Sequence, residues 1–127
     1  RQILLGQSGV TIVDDTYNSN PAGAAAALET LARTGANRKA VVTPGMIELG
    51  NRQASENRRF GVDASLIADD LIIVGRTNKG ALANGARDGT ARVHVLPNRD
   101  EAIKWVRENL KAGDAVLYEN DLPDHYP

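Results

Sequence analysis

The sequence predicts an α/β fold of three layers, in which a mainly parallel sheet of about six strands carries helices on both faces. Short β-branched runs alternate with helical segments along the chain, and the connections between them are short. Strands that are joined through helices pair in parallel, and a parallel sheet is buried on both faces. This element order is Rossmann-like, and 127 residues suffice for a single domain with one core.

The first elements follow from a β-branched run and a capping signal. Residues 2–5 are a possible edge strand, and a Gly-containing turn joins them to a second strand at residues 10–14. Asn20 is a good N-cap and Pro21 suits the first helical position. Together they predict the Ala- and Leu-rich helix over residues 22–34.

The middle of the chain repeats the strand-then-helix order. Residues 39–43 form the next predicted strand, which Pro44 ends, and a helix is predicted over residues 51–68. A further strand at residues 71–74 leads to a weak helix that Thr77 can cap and that ends near Arg87.

The last elements are two strands around one amphipathic helix. The strands are predicted at residues 93–96 and 115–118, and His94 in the first of them is interpreted as a structural residue. Asn98 and Glu101 predict a capped helix that ends near Leu110. Its core-facing positions are Ala102, Val106 and Leu110.

Composition excludes several classes of function. The net charge of −1 comes with no basic stripe, so nucleic acid is not an expected partner. Cysteine is absent, and the two histidines lack the spacing of metal ligands, so no metal site is predicted within this chain. No apolar run approaches the ~20 residues of a membrane span, and no signal peptide is visible, so a cytoplasmic protein is expected.

Residues 14–21, Asp-Asp-Thr-Tyr-Asn-Ser-Asn-Pro, are the strongest functional signal. They place two carboxylates, a phenol and two amides after a buried strand and before a helix. In open α/β sheets ligands bind at the carboxyl ends of strands, and a helix N-terminus favours anionic groups such as phosphate. An ordinary capped turn would use similar residues, since Asp, Asn and Ser are common in turns.

This segment resembles the Asp-Asp-Ser-Tyr-Asn-Ala-Asn-Pro signature of Mur ligases, most closely the type that adds D-alanyl-D-alanine to a UDP-muramoyl tripeptide. Residues 45–50, Gly-Met-Ile-Glu-Leu-Gly, resemble the family's Gly-Asp-Met-Leu-Glu-Leu-Gly loop. The resemblance implies the C-terminal domain, residues 1–127, of an ATP-dependent peptide ligase. Its substrate domain and its ATPase domain, with the P-loop and the main Mg²⁺ ligands, would lie upstream. The chain itself has no P-loop motif, and it starts at Arg1 without Met, which suggests a piece of a longer protein.

The resemblance also implies roles for individual residues. Asp15 would accept hydrogen bonds near the ATP ribose or phosphates. Glu48 would line the substrate site or, equally well, stabilise its loop. Asn20 would bind the nucleotide, although its role as a helix cap also explains it. The residues implied at the nucleotide are Asp14, Asp15, Tyr17, Asn18, Asn20 and Arg1. Those implied at the peptide substrates, a UDP-muramoyl peptide and an amino acid or dipeptide, are Glu48, Tyr118, Glu119, Asn120 and Asp121.

Two departures from the family concern the acceptor side. Thr43-Pro44-Gly45-Met46 lacks the family's acid in Gly-Asp-Met. After the last strand, residues 118–127 are acidic and aromatic, where the dipeptide-adding enzymes have Lys-Gly-Ser-Arg. The nucleotide half of the resemblance is intact, and the identity of the acceptor amine stays open.

Two other classes of protein share parts of this pattern. A signalling receiver domain also has an early acidic pair, but it needs an Asp after the third strand and a Lys after the fifth. Residues 43–45 and 119–120 do not supply them. A stand-alone nucleotide-binding or regulatory module stays open, and a P-loop domain encoded shortly before Arg1 would distinguish the ligase from it.

Overall fold

The computed structural model describes residues 2–16 and 20–120. Its strands are β1 Gln2–Leu5, β2 Thr11–Asp15, β3 Lys39–Thr43, β4 Asp70–Val74, β5 Arg92–Leu96 and β6 Ala115–Glu119. Its helices are α1 Pro21–Arg33, α2 Gln53–Ile67 after a 3-10 turn at Gly50–Arg52, α3 Lys79–Ala86 and α4 Arg99–Asn109. Within these residues the six strands form one sheet in the order β1-β2-β6-β3-β4-β5, parallel except for β1. The predicted three-layer fold and the edge position of residues 2–5 are confirmed.

Two hydrophobic clusters hold helices to the two faces of the sheet. On one face α1, α2 and α3 bury Leu28, Phe60 and Leu82 against the inward residues of the central strands. On the other face α4 packs Ala102 and Val106 on the sheet, as its predicted core face requires. Because strand residues alternate between faces, each residue of a central strand can be assigned to the face of one cluster or of the other.

Two predicted helix caps are confirmed. Asn20 Oδ1 accepts from the Gly23 N–H at 2.8 Å, and Asn98 Oδ1 accepts from the Glu101 N–H at 2.9 Å. The predicted cap of the third helix is wrong, because α3 begins after Asn78 rather than after Thr77. The Asn78 side chain makes no capping bond and turns instead toward the loop that follows β3.

Asp70, the first residue of β4, is fully buried at the edge of the sheet opposite the carboxyl ends of the parallel strands. Arg38 Nε and Arg92 Nε donate to it at 2.9 and 3.0 Å, and His94 Nε2 lies 3.1 Å away. Trp105 lies 4.9 Å from the His94 ring and under the Arg38 guanidinium. The position of His94 agrees with its structural interpretation. Burial alone would raise the pKa of Asp70, but the hydrogen bonds from Arg92, Arg38 and His94 outweigh it and lower the pKa to about 2.

We expect acidification to remove the stabilisation that the Asp70 carboxylate provides. Its pKa is lowered by folding from 3.8 to about 2, so the contribution is complete only above about pH 5 and is lost as the pH falls through 3.8 towards 2. The loss should be about 2 kcal/mol in the free energy of unfolding. Urea unfolding at pH 6 and at pH 2.5 measures it, and Asp70→Asn should show a smaller pH dependence than the wild type. An equal pH dependence in both proteins would contradict the expectation.

Candidate functional site

Three polar side chains meet at the carboxyl edge of the sheet. Asp15 ends β2, Thr43 ends β3 and Glu119 ends β6, which lies between them. Each stands two residues after a member of the cluster beneath α1 and α2, so all three point to that face. Asp15 and Glu119 are register partners, and they are only 6% and 0% exposed. A pair of carboxylates is therefore enclosed where the sequence predicted a ligand crevice.

Glu119 is connected to the loop after β3. Thr43 Oγ1 donates to Glu119 Oε1 at 2.8 Å and accepts from the Gly45 N–H at 2.9 Å. The next residue, Asn120, donates from Nδ2 to the Gly45 carbonyl at 2.7 Å and from its backbone N–H to the Asp15 carbonyl at 3.1 Å. Asn120 has φ +52°, a left-handed conformation that Asn adopts more readily than most residues. The ends of β2, β3 and β6 are thus joined by hydrogen bonds.

The turn between β2 and α1 combines a local bond with a helix terminus. Asp14 Oδ1 accepts from the Thr16 N–H at 3.2 Å, which is a local turn contact. Asn20 caps α1, so its side-chain oxygen is already engaged with Gly23. A cleft of about 230 Å³ lies beside this helix end, between α1 and α2, and is lined by Pro21, Ala22, Met46, Glu56, Arg59 and Phe60 among others. The helix terminus offers the electrostatic setting for an anionic group.

The structure brings together part of the predicted site. Asp15, Glu119 and Asn120 lie at one edge, and Glu48 lies exposed on the loop after β3 with φ +63°. Tyr118 packs with the cluster beneath α4, on the opposite face of the sheet from Asp15 and Glu119. The predictions for Arg1, Tyr17, Asn18 and Asp121 lie outside the described residues.

Two buried amides that were not predicted support this edge, Asn57 of α2 and Asn78 before α3. Both hydrogen-bond to the backbone of the loop after β3. The sequence signal for Asn57 is a polar residue at a core-facing position of a helix, and Asn78 has no such signal.

Two classes of feature are absent from the described part of the chain. Residues 2–16 and 20–120 contain no group of three His, Cys, Asp or Glu side chains that could hold a metal ion. Over the same residues, no helix has the length and the apolar character needed to cross a membrane.

The chain is similar in sequence to a set of curated ligases. The UDP-N-acetylmuramoyl-tripeptide–D-alanyl-D-alanine ligase of Mycobacterium bovis is 31% identical over 137 residues, which cover 91% of this chain and 27% of the relative. The chain spans about a quarter of the length of the curated relatives it matches.

Solved structures share the fold over nearly the whole chain. MurF from Acinetobacter baumannii superposes with a TM-score of 0.75 at 21% identity, covering 94% of this chain and 27% of that one. The MurF ligase from Thermotoga maritima, solved in complex with ADP, superposes with a TM-score of 0.68 at 25% identity, covering 94% and 26%. The sequence model of the Mur ligase, glutamate ligase domain, matches residues 1–118, and the chain belongs to this family.

Proposed function

We propose that this chain is the C-terminal domain of an ATP-dependent ligase that forms an amide bond in peptidoglycan precursor synthesis. The domain closes over ATP and binds the incoming amino acid or dipeptide. The observation that carries the proposal is the joined carboxyl edge of β2, β6 and β3, where Asp15 and Glu119 are enclosed next to the capped start of α1. The ADP complex of the Thermotoga maritima relative supports a nucleotide as the ligand.

The reaction that fits such a domain has two steps. A carboxylate oxygen of the muramoyl peptide attacks the γ-phosphorus of ATP, and ADP leaves as an acyl phosphate forms. The amine of the second substrate then attacks the acyl carbon, phosphate leaves, and the nitrogen loses a proton to a base. Phosphoryl transfer of this kind depends on positioned phosphate ligands and Mg²⁺, which an upstream domain would supply.

Within this scheme the chain supplies one wall of the site. The start of α1 favours the negative charge of phosphate oxygens, and Asp15 accepts a hydrogen bond from a nucleotide hydroxyl. Arg1, Tyr17 and Asn18 are proposed at the same nucleotide. Glu48, with Asn120 and Asp121, is proposed to face the acceptor amine. Glu119 is proposed to support this site from below its surface, because its side chain is fully buried and accepts a hydrogen bond from Thr43.

The acceptor site is proposed to be acidic. The family's basic stretch suits a carboxylate through charge-assisted hydrogen bonds, whereas Asp121 and Asp124 of this chain would repel one. We infer that the enzyme either uses an acceptor other than D-alanyl-D-alanine or recruits basic groups from another domain. A panel of amines and dipeptides in the assay below distinguishes these cases.

Residues 1–127 alone are expected to show no ligase or ATPase activity, since the chain lacks a P-loop. The full-length protein is expected to release phosphate from ATP when a UDP-muramoyl peptide and a suitable amine are both present. Phosphate release and product mass measure both reactions. Ligation by residues 1–127 alone, or a full-length protein that forms no amide with any amine, would overturn the proposal.

A further inference from the structure

The loop after β3, residues 44–50, is held by side chains from three different parts of the chain. The Pro44 carbonyl accepts from Asn78 Nδ2 at 3.0 Å. The Gly45 N–H and carbonyl are bonded to Thr43 and Asn120, as described above. Gly45 has φ +83°, and an added Cβ would lie 2.6 Å from Asn57 Oδ1 and 2.7 Å from Asn78 Cβ, so the loop is closely packed on both amides.

Met46 is bound on both sides of its peptide unit. Its N–H donates to Asn57 Oδ1 at 2.8 Å, and its carbonyl accepts from Asn57 Nδ2 at 2.9 Å and from Asn78 Nδ2 at 3.2 Å. Gln53 Nε2 donates to Asn78 Oδ1 at 3.0 Å and thereby orients that amide. Asn57 is fully buried and Asn78 nearly so.

These bonds fix the base of the loop and leave its tip in solvent. A buried amide or carbonyl that loses its partner costs about 1–3 kcal/mol, so displacing residues 44–46 would break several bonds at that cost. The tip consists of Ile47 and Glu48, both exposed, and it turns through positive φ angles at Glu48 and Gly50. The amides therefore fix where Glu48 projects from the carboxyl edge.

We propose that Asn57 and Asn78 are positioning residues, which hold Glu48 and the tip of the 44–50 loop in the geometry that the acceptor side of the site requires. This inference rests on the proposed function. Burying two amides is costly unless their hydrogen bonds are made. Asn57 and Asn78 bond to each other, and each also bonds to the backbone of the loop. The same hydrogen bonds connect the loop to α2 and to the connection after β4.

The test compares Asn57→Ala and Asn78→Ala with Ser65→Ala in the full-length protein. Ser65 is a buried polar residue of the same helix α2, whose hydroxyl donates to the Val62 carbonyl and makes no bond to the loop. Gln53→Ala removes one of the two side-chain bonds to Asn78 Oδ1 and keeps the one from Asn57, so it offers a milder variant if Asn57→Ala does not fold. Readouts are deuterium uptake of the peptide spanning residues 44–50 and separate KM and kcat values for ATP and for the amine.

Both amide variants are expected to speed deuterium uptake in the loop and to lower kcat/KM for the amine by about tenfold or more, since small misplacements of a positioned group have effects of this size. The KM for ATP should stay within about twofold, because Asp15, which is proposed to bind the nucleotide, lies at the end of β2 rather than on this loop. Ser65→Ala should change neither uptake nor kinetics at a temperature below its own unfolding transition.

Unchanged uptake, or faster uptake with unchanged amine kinetics, would overturn the inference. A rise in the KM for ATP as large as the fall in kcat/KM for the amine would also overturn it, because a general loss of structure would explain that result. If the wild-type protein forms no amide, the proposed function fails, whereas the uptake measurement still shows whether the amides fix the loop.

Discussion

Replacing Asp15 with Ala in the full-length protein should lower kcat/KM for ATP by about ten- to a hundredfold, while the protein stays folded. A hydrogen bond to a charged group is worth about 1–3 kcal/mol, and each 1.4 kcal/mol corresponds to a factor of ten. Asp15 is the carboxylate at the end of β2, next to the start of α1. Steady-state ATP kinetics and the melting temperature of the same preparation measure the two effects.

Asp114→Ala is the matched control. Asp114 is also a buried carboxylate beside a strand end, and its Oδ2 accepts from the Lys111 N–H at 2.9 Å, but it lies before β6 at the opposite edge of the sheet. It should lower the melting temperature without changing the KM or kcat for ATP. If Asp15→Ala leaves ATP kinetics unchanged, or if Asp114→Ala changes them equally, residues 14–21 are a capped turn and no more.

Most of the fold could be predicted because its signals are local. The strand Lys39–Thr43 has the predicted bounds, since a β-branched run ends there at a proline. Asn20 and Asn98 set the starts of α1 and α4 through bonds to residues three positions later. The order of the strands in the sheet follows from long-range pairing and was not predicted.

The hydrogen bonds that support the site could not be predicted, because they also join residues that are far apart in the sequence. Asn57 bonds to a loop 11 residues away, and Asn78 bonds to carbonyls 32 and 34 residues away. Nothing near Asn78 in the sequence indicates this role, and the predicted cap at Thr77 lies one residue before Asn78, the residue that precedes the helix. The predicted strand at residues 71–74 does not include Asp70, because an acid at the start of an apolar run is normally exposed. Hydrogen bonds from Arg38 and Arg92, with His94 beside them, permit its burial.

The packing of α2 on α3 depends on glycines. A Cβ at Gly85 of α3 would lie 1.9 Å from the Arg58 carbonyl oxygen, and one at Gly61 of α2 would lie 2.3 Å from the Leu82 carbonyl oxygen. Each contact is with the backbone of the facing helix, so a rotamer change cannot relieve it. This helix was predicted to be weak, whereas Gly85 permits the close approach that packs α3 on α2.

Gly85→Ala should therefore lower the free energy of unfolding by about 3 kcal/mol or more, because α3 must move away from α2 and its buried Leu82 must repack. Gly80→Ala in the same helix is the matched control, since an added Cβ there meets no described atom within 4 Å. It should raise the free energy of unfolding by about 0.5–1 kcal/mol, as alanine is the better helix former. Urea unfolding of both variants measures the difference. Equal effects at the two positions would mean that intrinsic helix propensity, rather than the close contact of α2 with α3, determines the stability of α3.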